Sequence, residues 1–370
     1  MQSLRLLADD LTGALDTAAE FVRLCGTFDV TWTDAPRSDH SSSVAIDSGT
    51  RECDRMQSVA IVKRLVPMLR DGSIAFKKVD SLLRGPWAAE LAACLESGFW
   101  RSCIVAPAFP YQGRFTRNGR QYVRKENGSW LPVGDSLLKQ LAAENIQAHT
   151  RSIDVQLNDG VHVLDAQSDG DLDRVVALGR RASHPVLWCG SSGLAAALAR
   201  SNAPTLPRTL RKPVLGFFGS DQPATAMQLA ACGAAAIGFP EVGDDHAGMV
   251  RRKLNADGIA FVKFDLAPGV SRGDAALRIA RALASVTAAL EPPGTLIVAG
   301  GETLRALCAA LGAHALKVTG RIVPGLPCST IQGGRWDGVE VISKSGAFGA
   351  PDLWRKLLEE NQLISERHDT

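Results

Sequence analysis

Short apolar runs, each breaking into a polar or glycine-marked turn and then a helical pattern, recur down this 370-residue chain. That alternation constrains the fold more than any other feature. Strands joined through helices need crossover connections, and such crossovers build a largely parallel sheet with helices on its faces. The first run, Leu4-Arg5-Leu6-Leu7-Ala8, ends at Asp9-Asp10. Ala14, Leu15, Ala18, Ala19, Phe21 and Val22 then recur at helical spacing, with Thr12 able to cap a helix beginning near Gly13. The carboxyl end of a parallel strand opens into the ligand crevice, so both carboxylates stand where a site is built. Two adjacent carboxylates are costly to hold together, and a cap needs only one. A functional pair is therefore favoured over a cap with a solvated neighbour.

The pattern continues through Asp29 to Thr33, Ser43 to Asp47, and a helix over Arg51 to Leu69, with a loop from Asp34 to Ser42. A second charged strand end follows, Ile74-Ala75-Phe76-Lys77-Lys78-Val79-Asp80-Ser81-Leu82-Leu83-Arg84-Gly85, and Pro86 opens the next helix. Cys103 to Ala106 is a strand, and Arg114, Arg117 and Arg120 flank a hairpin signal at Asn118-Gly119. Those arginines either clamp an anion or decorate a solvated arm. Strand, helix and strand are expected over Val161 to Leu164, Asp171 to Arg181 and Pro185 to Cys189. The Gly190-Ser191-Ser192-Gly193 turn after them suits either a phosphate or tight packing.

At 370 residues two domains are the natural expectation. Asn202 to Pro213, with three prolines and no periodicity, is the linker, and a boundary near Pro207 gives domains 1–206 and 207–370. The second half restarts at Val214 to Ser220, with strands at Ile259 to Phe264 and Thr295 to Ala299 and a helix from Asp274 to Leu290 between them. At Gly300-Gly301-Glu302-Thr303 a strand passes through a glycine pair into a helix start, whose free N–H groups and dipole favour a phosphate. The GxxxxGK[ST] loop is absent. Pro324 to Pro327 reads as a rigid turn, Val339 to Lys344 as a strand meeting Ser345-Gly346-Ala347-Phe348-Gly349, and Asp352 to Leu358 as an amphipathic end helix.

Lys plus Arg is 41 and Asp plus Glu 39, a net charge of only +2, so neither nucleic acid nor a membrane surface is an expected partner. The eight cysteines form no CxxC pair and the seven histidines no metal-type spacing. The N-terminus lacks the charged and long apolar regions of a signal peptide. With free thiols this points to a reducing cytoplasm.

Taken jointly, ADDLTG, KKVDSLLRG, the Pro107-to-Val123 segment, GGET, PGLP and KSGAFG resemble the four-carbon acid sugar kinase family from Leu6 to about Gly349. Departures are Leu82, where family members usually carry threonine, Ala347 in place of asparagine, and Gly219-Ser220-Asp221-Gln222-Pro223-Ala224-Thr225 in place of a serine-rich turn. The resemblance implies two Rossmann-like α/β domains with a cleft between them, phosphorylating a threonate, erythronate or oxo-tetronate hydroxyl with ATP and Mg²⁺. It implies Asp10, Asp9 and Asp80 as catalytic carboxylates, with Asp10 favoured as the base. Lys78, Ser81, Arg84 and Arg114 would hold the acid, Arg84 foremost on its carboxylate. Ser220, Gly300, Gly301, Glu302, Thr303 and Gly346 would contact nucleotide. Metal ligands are not specified, and self-association into a homo-oligomer is left open. A degenerate acid-sugar sensor is the alternative; a Rossmann dehydrogenase is less favoured, since no GxGxxG follows a strand.

Overall fold

The computed structural model describes residues 2–32, 43–125, 127–150, 157–199, 206, 209–239, 245–267 and 269–364. The predicted loop at Asp34 to Ser42, half of the Asn202-to-Pro213 linker and the boundary at Pro207 lie outside these residues. The chain forms two compact units, 1–204 and 205–370.

The first unit runs β1 (Leu4–Ala8), α1 (Leu11–Cys25), β2 (Phe28–Thr31), β3 (Val44–Asp47), α2 (Arg55–Leu69), β4 (Ile74–Lys78), α3 (Trp87–Leu95) and β5 (Ser102–Ala106). It continues with β6 (Arg114–Arg117), β7 (Arg120–Arg124), β8 (Trp130–Pro132), α4 (Leu137–Ala143), β9 (Ala148–Thr150), β10 (Gly160–Val163), α5 (Asp169–Arg180), β11 (Val186–Gly190) and α6 (Ser192–Leu198). Its main sheet is parallel in the order β2-β3-β1-β4-β11-β5-β10-β9. After β1 the chain places β2 outermost and β3 between it and β1, then crosses to β1's other side at β4. The β1/β4 junction is thus a topological switch point, where α/β sheets open a ligand crevice. Leu7, Ile46, Val62, Leu91 and Val105 belong to the apolar cluster that buries one face. Strands β6, β7 and β8 form a separate antiparallel arm. Its first turn sits at Asn118-Gly119, both at positive φ (51° and 65°), as a two-residue hairpin requires.

The second unit runs β12 (Val214–Phe218), α7 (Pro223–Ala231), β13 (Ala236–Phe239), α8 (His246–Asp257), β14 (Ile259–Phe264), α9 (Arg272–Ala289) and β15 (Thr295–Ala299). Then follow α10 (Gly301–Leu311), β16 (Ala315–Arg321), β17 (Pro327–Gln332), β18 (Glu340–Lys344) and α11 (Leu353–Glu360). The order is β13-β14-β12-β15-β18-β17-β16, parallel up to β18 and antiparallel beyond it. Its switch point lies between β12 and β15. Phe218, Ala299 and Lys344 are in register, so three strands of this sheet end at one level. Trp354 and Leu358 of α11 pack with Phe218 and Phe261 in the cluster beneath.

The helix after β1 begins earlier than the sequence pattern predicts. Asp10, not Thr12, is its N-cap: Asp10 is extended (φ −146°, ψ 158°) and accepts from the Gly13 amide at 3.0 Å. Thr12 instead donates its hydroxyl to Asp10 at 2.6 Å. The helix expected from Arg51 starts at Arg55 behind an Asp54 cap, which leaves Arg51 in the preceding turn. Among the described residues no helix is long and apolar enough to cross a membrane.

Candidate active site

Three carboxylates of the first unit converge on one guanidinium. Arg51 meets Asp9 through Nε at 2.8 Å and Nη2 at 2.9 Å, meets Asp10 at 2.6 Å, and lies 3.8 Å from Asp80. The Arg51 amide also donates to the Asp9 carbonyl at 3.1 Å, which fixes the turn before α2 against the end of β1. Burial opposes charge on both partners. For Asp9 the Arg51 guanidinium overrides that penalty and holds the carboxyl below its usual range. For Arg51 the three carboxylates override burial and raise its affinity for its proton well above normal. Arg51 was invisible as a site residue in the sequence because it reads there as the first residue of a helix. Of the three carboxylates, Asp10 is the most open, its side chain 17% exposed against 4% for Asp9 and 7% for Asp80.

Asp80 organises the turn after β4. Its Oδ2 accepts from the amides of Leu82 (3.1 Å) and Arg84 (3.3 Å), and Leu83 within that turn takes a left-handed φ of 57°. Arg84 grips the same carboxylate with Nε at 2.9 Å and Nη2 at 2.8 Å. Despite burial, Arg84 and Arg51 hold Asp80 far below the ordinary carboxylate range. The two lysines of β4 diverge, as strand alternation requires. Lys77 pairs with Glu90 of α3 at 2.6 Å, both fully buried, and Glu90 outweighs burial to raise the lysine. Lys78 turns the other way, donates to the Val79 carbonyl at 3.0 Å and lies beside Gly13.

Of the three arm arginines, Arg114 alone joins this cluster. It donates to Ser81 Oγ and, at 2.7 Å, to Gln112 Oε1, while its buried Nε has no hydrogen-bond partner. No carboxylate pairs with Arg114 among the described residues, and burial lowers its hold on the proton, with Asp80 acting weakly against that. Arg117 instead lies over the Tyr122 ring. Gln121, unremarked in the sequence, is fully buried; it ties the arm to the site by donating to the carbonyls of Ser81 (2.9 Å) and Pro107 (3.1 Å). The turn from Gly190 to Gly193 is tight packing: Ser191 Oγ donates to the Ala108 carbonyl at 2.6 Å, and Ser192 to Asp16 at 2.6 Å.

In the second unit the predicted nucleotide residues gather at the register-matched ends of β12, β15 and β18. The Gly300 amide donates to the Lys344 carbonyl at 3.0 Å, which joins two of the glycine turns. A Cβ on Gly346 would collide with Ser220 Oγ, and one on Gly219 with Thr303 Oγ1, so Ser220, Thr303 and Gly346 share one cradle. The cradle faces the N-terminus of the eleven-residue α10, whose first N–H groups suit phosphate oxygens. This donor set fits a nucleotide's phosphates. Glu302 stands apart: its carboxylate is half-exposed and accepts from Arg272 of α9 at 2.8 Å. No group of three or more His, Cys, Asp or Glu able to hold a metal occurs among the described residues.

A sugar-binding N-terminal domain model matches residues 4–141, and a nucleotide-binding C-terminal domain model matches residues 215–354. The chain belongs to the four-carbon acid sugar kinase family. It is 32% identical over 406 residues to a D-threonate kinase of Cupriavidus necator, covering 94% of this chain and 96% of the relative. A 3-oxo-tetronate kinase of the same organism is 27% identical over 430 residues, covering 96% of each. The fold matches a crystal structure of a Haemophilus influenzae protein of the family DUF1537, with a TM-score of 0.70 at 18% identity, over 96% of this chain and all of that one.

Proposed function

We propose that the protein is an ATP-dependent kinase that phosphorylates a hydroxyl of a four-carbon acid sugar, with D-threonate as its substrate. The observation that carries the acid-binding part is Arg114: a half-buried guanidinium, its Nε buried and unpaired, with no carboxylate partner among the described residues, beside a cluster in which Arg51 and Arg84 each already have one. A sugar acid's carboxylate completes it in a bidentate geometry that lysine cannot reproduce. Arg84, engaged along its Nε–Nη2 edge by Asp80, serves chiefly to hold the turn that presents Ser81. Lys78 and Ser81 take hydroxyl oxygens of the acid.

Asp10 is the base. It is the most exposed of the three carboxylates, and the Gly13 amide, Thr12 and Arg51 fix its orientation. As the substrate oxygen attacks the γ-phosphorus, its proton passes to the Asp10 carboxylate and the bond to the leaving ADP oxygen breaks. Asp9 anchors Arg51 and so holds Asp10 in place; Asp80 does the same from the β4 side. In the second unit Ser220, Thr303 and the main-chain N–H groups of Gly300, Gly301, Glu302 and Gly346 receive the nucleotide. Mg²⁺ bound with the triphosphate would supply charge neutralisation there, and would be held chiefly by phosphate oxygens and water. The choice of D-threonate follows the 32% identical relative over the 27% identical one.

Comparing kcat/KM for D-threonate, D-erythronate and 3-oxo-tetronate by ADP release tests the assignment. D-threonate is expected to lead. Turnover of another acid alone would overturn the choice of substrate, and ADP release with none of them would overturn the kinase.

A further inference from the structure

Lys344 ends β18 where the glycine turns of the second unit meet. Its main-chain carbonyl accepts from Gly300, and its side chain, 1% exposed, places Nζ 3.0 Å from the carbonyl oxygens of both Ser345 and Gly346. Thr225 Oγ1 of α7 lies 3.5 Å from Nζ and itself donates to the Gly346 carbonyl at 2.8 Å. All these partners are neutral oxygens. No carboxylate pairs with Lys344 among the described residues, whereas the equally buried Lys77 of the first unit has Glu90 at 2.6 Å.

A buried ammonium without a counter-anion is a standing cost, which folds tolerate chiefly where a ligand or a reaction makes use of it. Its neighbours among the described residues carry no titratable group: Thr225 from α7, Ser345 and Gly346 from the following turn, and Ala299 opposite it on β15. Burial alone pushes the Lys344 ammonium down to about 7. The cation sits behind the cradle of Ser220, Thr303, Gly300 and Gly346, whose other donors are neutral hydroxyls and amides.

We infer that Lys344 is the buried counter-charge for a nucleoside di- or triphosphate, lacking its anionic partner until the phosphates arrive. The inference rests on the second unit being the nucleotide's seat. An anionic phosphate chain in the cradle stabilises the protonated form, so binding draws a proton from solvent onto Nζ. The ammonium then holds the Ser345–Gly346 carbonyls and compensates the phosphate charge through the same turn. Lys344 is a positioning residue in this account; it acts through the turn it holds.

Calorimetric titration of the full-length protein with ADP at pH 8, in two buffers of different ionisation enthalpy, tests it. At that pH the free nucleotide's phosphates are already deprotonated and Lys344 is mostly neutral. The wild type is expected to take up most of one proton per ADP bound. Lys344→Met should abolish that uptake and weaken ADP about tenfold or more, without lowering the melting temperature of the nucleotide-free protein. Lys344→Arg, charged beforehand, should bind ADP without uptake. Absence of uptake by the wild type overturns the inference whether or not the variants fold, as does a Met variant with unchanged uptake. A wild type that binds neither ADP nor ATP removes the nucleotide seat itself, and the inference with it.

Discussion

Replacing Arg51 by Met keeps the aliphatic stem and removes the charge that Asp9, Asp10 and Asp80 share. The side chains of Arg51 and Asp9 are 12% and 4% exposed, so solvent replaces little of what is lost. Breaking a buried pair by removing one partner costs about 3–5 kcal/mol, because the remaining charge is uncompensated. Lys78 and Lys77 still favour the Asp9 anion, which places the expected loss near the lower end, about 3 kcal/mol at pH 7. The pH dependence gives an independent check. In the wild type the lowered Asp9 carboxyl stabilises the fold above its unfolded value of 3.8, and that stability is lost as pH falls. In the variant, burial goes unopposed by Arg51 and raises Asp9, so the fold is penalised as pH rises above the unfolded value of 3.8, and fully so beyond the new value. The gap between the two proteins should therefore narrow from pH 7 toward pH 4. Scanning calorimetry is the assay, because two units need not unfold in one transition. Adding Asp9→Asn to Arg51→Met should restore about 1 kcal/mol or more, the coupling expected of direct partners. A variant within about 0.5 kcal/mol of wild type at pH 7, with an unchanged pH profile, would refute the claim that Arg51 holds the cluster together.

Two further outcomes bear on binding. Arg114→Ala should raise KM for the acid by at least about thirtyfold, the loss of a charge-assisted hydrogen-bonded pair worth about 2 kcal/mol, with Arg114→Lys recovering only part. Arg84→Ala should act mainly on stability, and the reverse ranking in steady-state kinetics would return the carboxylate to Arg84. Gly346→Ala places a methyl group against Ser220 and should weaken ATP about tenfold or more while leaving the acid's binding unchanged. Equal ATP affinity in a fluorescence titration would mean the cradle is not where phosphates bind.

The alternation of apolar runs with helical patterns made the parallel sheets legible, because burial on both faces demands apolar strands wherever crossovers occur. Asp9, Asp10, Asp80 and the glycine turns were visible for the same reason: each directly follows a strand. What escaped were features set by distant contacts. Arg51 reads as a helix residue until the β1 end is brought against it, and Gln121 is one polar residue in a polar arm. Helix α8 buries only Val250, so its apolar stripe is too thin to register. The β16–β17 pair hides behind the Pro324-to-Pro327 turn, where prolines mark a break but not which strands flank it. Lys344 looked like one more charge at a strand end, since lack of a counter-anion is a property of the packed unit and not of a motif.

The most direct test of the central claim, that Asp10 takes the hydroxyl proton as ATP phosphorylates the acid, is ADP release with D-threonate by the wild type and Asp10→Asn. The wild type is expected to release ADP only when the acid is present, one for each phosphorylated acid formed. The variant should lose about a hundredfold or more in kcat with ATP affinity near wild type. ADP release independent of the acid, or an Asp10→Asn variant with undiminished kcat, would contradict the account.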